Sequence, residues 1–208
     1  MDCAIVQEGT RSMATITTKD GTEVVPSVQS ALLTEIAAID TVLLAHKRAL
    51  GDDFTGYRNH TYRVANLCVA FAPGGAEQHE QIALAAAFHD LGIWTDGTFD
   101  YLEPSVRLAR AYLDQQGRAE WAPEIATMIR EHHGISSRRD DTHPLVEPFR
   151  RADWVDVSRG VVRFGLSGAY VEALYSTWPS AGFHKRLVQL SRRRLLTHPW
   201  SPLPMLRL

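Results

Sequence analysis

Cysteine is nearly absent from this chain: two of its 208 residues, Cys3 and Cys68, and their wide separation fits neither a cysteine-based zinc pattern nor a disulfide framework. That usage implies a reducing, cytoplasmic location, with Cys68 a core residue. Long apolar runs are missing as well, so no membrane span is expected, and Asp2 stands where a secretory signal would carry basic residues. There is no excess charge of either sign: 22 Lys and Arg oppose 24 Asp and Glu, a net of −2. A general attraction to nucleic acid or to an anionic membrane is thereby excluded. Alternating β-branched segments are lacking too, which removes the signal for strands.

What remains is helical periodicity in a chain long enough for one sizeable core, 45% of it apolar. The fold class is all-α: a single helical domain over residues 28–208, preceded by a flexible N-terminal arm, 1–27, and closed by a Pro-rich tail. A first long helix is expected from Ser27 to the stop at Gly51. A second runs from about Gly56 to Phe71, and a third from about Glu77 to His89 or Asp90, broken by Gly92. Residues 93–104 read as a loop. Further helices are expected near 104–113, 123–133, 144–157, 168–178 and 183–196. The tail, with Trp200, Leu203, Met205 and Leu206, is expected to pack as an extended strap.

His89 and Asp90 close the otherwise apolar stretch Ile82 to Phe88. An imidazole and a carboxylate at a dry helix end are costly unless satisfied, and a divalent metal satisfies both. His60 on the preceding helix and Asp153 on a later one supply further ligands, each flanked by apolar residues that aim it inward. Two imidazoles and two carboxylates suit Mn, Fe, Co, Ni or Zn and leave open positions for water and substrate. Taken singly, His60 also reads as a satisfied core histidine, and Asp153 as a partner of Arg150 or Arg151.

Four ordered segments carry a resemblance: Tyr57-Arg58-Asn59-His60, Ala87-Phe88-His89-Asp90-Leu91-Gly92, Ile129-Arg130-Glu131-His132-His133-Gly134 and Arg151-Ala152-Asp153-Trp154-Val155-Asp156. In this order, on helices of an all-α chain, they resemble the HD superfamily of metal-dependent phosphohydrolases, with a core motif region of about 57–159. The resemblance implies one divalent ion held by His60, His89, Asp90 and Asp153, lowering the pKa of a water so that hydroxide attacks a small phosphate ester, a nucleotide among the candidates.

Binuclear members add two histidines between the His-Asp pair and the last Asp. His132 or His133 fits the second, but no histidine occurs between His89 and His132; Ser105 or Glu103 occupies that region. A mononuclear site is therefore expected, with His132 and His133 in substrate or general-acid chemistry, and Glu103 keeps a second metal open. The pair also suits a helix C-terminus. Arg58 and Arg130 are candidate phosphate clamps, and Asp96 a candidate acid or water-orienting group. Alternatives on the same scaffold are a di-iron oxygenase, a nitrile-type hydratase and a non-catalytic nucleotide binder. His46, His79, His143, His184 and His198 read as exposed or helix-terminal.

Overall fold

The computed structural model describes residues 32–137, 141–197 and 200, together with two short strands nearer the N-terminus. The chain divides into two units, Met1–Ser30 and Ala31–Leu208. In the first, β1 (Ile16–Thr17) pairs antiparallel with β2 (Glu23–Val24), a local pairing that the sequence pattern does not announce. The rest of the expected arm lies outside the described residues.

The second unit is all-α. Its helices are α1 (Ala37–Ala45), α2 (Lys47–Leu50), α3 (Phe54–Phe71), α4 (Ala76–Phe88), α5 (Gly92–Thr95), α6 (Leu102–Gln115), α7 (Ala122–Glu131), α8 (Val146–Val157), α9 (Gly168–Thr177) and α10 (Phe183–Thr197). Among the described residues no helix is long and apolar enough to cross a membrane.

Central α3 is buried on almost every face and packs against α8 and α4. Its buried positions include Asn59, His60, Thr61, Arg63 and Asn66, so the core is built around polar groups that need partners. Helix α4 is simpler, because every residue from Ile82 to Phe88 is buried and apolar, as expected of a helix covered on all sides. Amphipathic α6 buries Leu102, Val106, Ala109 and Leu113 along one stripe, against α7.

The expected first helix starts too early. Residues 32–36 are not helical, because side chains of α3 satisfy their backbone: Leu33 donates to Asn66 Oδ1 at 2.7 Å, and Ile36 donates to the Tyr62 hydroxyl at 3.1 Å. The helix is also interrupted at His46, which separates α1 from α2. The loop expected at 93–104 is shorter, since α5 occupies 92–95 and α6 begins at Leu102. Gly92 makes that return feasible. A Cβ there would lie 2.6 Å from the Tyr101 carbonyl oxygen and 2.9 Å from Pro104 Cβ, and its N–H donates to Ser105 Oγ at 3.0 Å. Of the tail, Trp200 is exposed rather than packed, and Leu203, Met205 and Leu206 lie outside the described residues.

Candidate metal centre

Three helices converge on one buried point. His60 projects from the middle of α3, His89 and Asp90 follow the last turn of α4, and Asp153 lies on α8. None is more than 3% exposed. The Nε2 atoms of His60 and His89 stand 2.9 Å apart. Asp153 Oδ1 lies 3.7 and 3.8 Å from them, and Asp90 Oδ2 lies 3.8 and 3.5 Å from them.

Hydrogen bonding fixes which nitrogens face inward. His89 Nδ1 is 2.8 Å from the Ala86 carbonyl, which can only accept, so Nδ1 carries the proton and Nε2 the lone pair. His132 is oriented in the same way by the Ile129 carbonyl at 2.7 Å. His60 Nδ1 donates to Asp156 Oδ2 at 2.6 Å. The Nε2 lone pairs of His60 and His89 therefore point at each other, an arrangement that repels unless a cation or proton lies between them. Asp90 Oδ1, Asp153 Oδ1 and His132 Nε2 are buried without a hydrogen-bond partner among the described residues. Each such orphan costs roughly 1–3 kcal/mol. Donors bound at about 2.1 Å to one ion lie about 3.0–3.5 Å apart. The His60–His89 distance lies near that range and the carboxylate distances of 3.5–3.8 Å lie at or just beyond its upper edge, while the donor types and the orphaned atoms suit a divalent transition metal.

The electrostatics follow from burial and crowding. Burial pulls His89 down to about 3, because the imidazolium is costly there, although Asp90 opposes the shift. Burial pushes Asp153 up to about 7 despite the nearby imidazoles. Asp90 goes the other way: burial alone would raise it, but His89, His132 and His60 hold it below the usual carboxylate range. One carboxylate is thus committed to the charged form while its neighbour holds a proton readily, and a bound cation would favour the charged form of both.

Behind the ligands lies a support that sequence reasoning missed. Asp156, fully buried, accepts from His60 and from both Nε and an Nη of fully buried Arg63. Tyr175 donates to its carboxylate and backbone carbonyl. His184 Nε2 donates to the same carbonyl at 3.0 Å, so this histidine is half-buried behind the centre and not a surface residue. The Tyr57 hydroxyl donates to the Ala87 carbonyl at 3.0 Å and accepts from the Asp90 N–H at 3.3 Å, pinning the His-Asp turn.

His132 and His133, just past α7, form a second ligand group with Asp90. His132 Nε2 lies 3.4 Å from Asp90 Oδ1, and His133 Nδ1 lies 3.5 Å from Asp153 Oδ2. His133 Nε2 is 2.6 Å from the Tyr101 hydroxyl, so Tyr101 joins the site. Burial, followed by the adjacent His132, holds His133 well below the usual histidine value. This side opens into a cavity of 430 Å³.

Three expected site residues lie elsewhere. Arg58 pairs with Asp40 of α1 through two hydrogen bonds, at 2.6 and 3.0 Å, and stacks on Tyr62. Arg130 pairs with Glu103 on the surface, at 2.6 and 2.7 Å, which also removes Glu103 as a substitute for the missing histidine. Asp96 accepts from Arg107 at 2.6 Å in an exposed pair. Ser105 is buried but occupied by the Gly92 N–H. These groups serve structure, two of them because they lie two residues from the histidine they were meant to assist and so on another face of the helix.

The HD domain family model matches residues 57–158 of this chain, a span that holds His60, His89, Asp90, His132, His133, Asp153 and Asp156. No curated protein and no solved structure matches it.

Proposed function

We propose, for a chain that belongs to the HD superfamily of metal-dependent phosphohydrolases, that it hydrolyses a small phosphate ester in a reducing, cytoplasmic setting, with no part for membrane or nucleic acid. The observation that carries this reading is the facing pair of Nε2 lone pairs on His60 and His89, with Asp90 Oδ2 and the unpartnered Asp153 Oδ1 each within 3.8 Å of both. In it, His60, His89, Asp90 and Asp153 hold one divalent ion of the Mn, Fe, Co, Ni or Zn type. Such an ion supplies Lewis acidity, which makes water a nucleophile near neutral pH and offsets charge developing on phosphate.

The residues do the positioning. Asp156 fixes the His60 tautomer and ring orientation from behind, with Arg63 holding the carboxylate in place. The Ala86 and Ile129 carbonyls do the same for His89 and His132. His133 faces the cavity and is kept neutral by burial; with Nε2 donating to the Tyr101 hydroxyl, its Nδ1, 3.5 Å from Asp153 Oδ2, keeps the lone pair that would take a proton from water.

The test is phosphate release from a panel of phosphomonoesters by metal-loaded protein, beside His89→Ala. Release that chelator and the substitution both abolish is expected. A fully metal-loaded chain that releases phosphate from no ester overturns the reading. A second reading has one observation in its favour: the group Asp90, His132 and His133 offers a second ion a place beside the first, sharing Asp90. Two equivalents of iron per chain would bring oxygenase chemistry to the front.

A further inference from the structure

We infer that the cavity before the centre selects a substrate with an aromatic or alkyl body that ends in one acidic group, received by Arg192; this rests on the hydrolase reading for where the reacting phosphate sits. The cavity has 430 Å³ of space, enough for a small organic molecule. Its inner end is Asp90, Asp153 and His133, and its walls are Phe99, Trp154 of α8 and Leu187 and Val188 of α10. Ser191 and Arg192, one turn further along α10, complete the lining.

The walls offer little to a polar body. The Trp154 indole N–H is already given to the Gly134 carbonyl, at 3.2 Å, and the Tyr101 hydroxyl is engaged by His133. Away from the ligand cluster, Ser191 is then the one uncharged polar side chain left among the described lining residues. A nucleoside brings ribose hydroxyls and base edges, and those set against these walls would lack partners, at a cost of roughly 1–3 kcal/mol for each one buried. An apolar body instead covers Val188, which is 51% exposed although it faces the cavity.

Charge points the same way. A polyphosphate chain would need cations beside the ligand cluster, yet Arg58 and Arg130 are committed to Asp40 and Glu103. Arg192 is the one cationic side chain among the described residues lining the cavity. It also borders an adjoining groove of 560 Å³ with Arg159 and Lys185, so the outer end is positive while the middle is apolar. One anion at the far end of an apolar body matches that order.

The test is calorimetric titration of the full chain, its metal content measured in parallel, with 4-phenylbutyrate, 4-phenylbutan-1-ol and adenosine. The acid should bind at least tenfold tighter than the alcohol, and the alcohol at least tenfold tighter than adenosine. Arg192→Met should erase the first ratio, and Val188→Glu should weaken both phenyl ligands tenfold or more. Both substitutions fall at exposed positions, where folding tolerates them. Adenosine equal to the alcohol, or an acid preference that survives Arg192→Met, overturns the assignment. These ratios in a chain that holds no metal would sink the hydrolase reading alone, and their absence in a metal-loaded chain would sink this one alone.

Discussion

The two sides of the centre are built differently. On the α3 side, His60 is backed by buried Asp156 and Arg63 and by half-buried Tyr175 and His184, joined in one chain of hydrogen bonds. On the α7 side, His132 and His133 are held by one backbone carbonyl and one tyrosine hydroxyl, beside an open cavity. The first arrangement fixes ligand geometry at the cost of a buried ion pair; the second leaves His133 reachable by substrate. Holding and acting are therefore separated by only a few ångströms, and substitutions on the two sides should fail in different ways.

The largest effect is expected for the ligands themselves. Asp153→Ala should lower metal affinity by more than about 100-fold, beyond the 10- to 100-fold typical of supporting residues, as read by competition with a fluorescent chelator. Asp156→Asn comes next and should strike twice. It leaves the Arg63 charge buried and unpaired, so stability should fall by about 3–5 kcal/mol in chemical denaturation. Metal affinity should fall by about 10- to 100-fold through the loosened His60 ring. An Asp156→Asn chain of unchanged stability would show that the support is not built as described.

On the open side the pattern should invert. His133→Ala should retain metal and melt normally while turnover falls by about 100-fold or more, the range of a lost proton-transfer group. Loss of a metal equivalent in that variant would move His133 into the ligand set and favour the two-ion reading. The smallest effects belong to the surface arginines. Arg130→Ala removes a solvent-facing ion pair and should cost no more than about 1 kcal/mol. Arg58→Ala also removes a partly buried contact with Tyr62 and should cost more, and turnover should be unchanged in both. A large loss of turnover in either would restore it as a substrate clamp.

Much of this centre is legible in the sequence because burial leaves a local mark. A His-Asp pair ending an apolar helix, and His60 and Asp153 among apolar neighbours, mark positions where polar groups enter a core. The support behind them carries a weaker signal of the same kind. Arg63 stands three residues after His60 and Asp156 three after Asp153, a spacing that shares a helix face, so periodicity alone could have found both. The same geometry argues against Arg58 and Arg130. Other features have no local mark. The late start of α1 depends on Asn66 and Tyr62 reaching back across about thirty residues, and the place of His184 depends on how α10 packs against α3. Nothing local to Tyr101 announces that its hydroxyl meets His133.

The most direct test of the central claim is elemental mass spectrometry of the chain purified without chelator, beside Asp90→Ala. At least one equivalent of a divalent transition metal per wild-type chain, lost in the variant, is the predicted result. A well-folded wild-type chain that holds no such metal, even after incubation with Mn, Fe, Co, Ni or Zn, would contradict it.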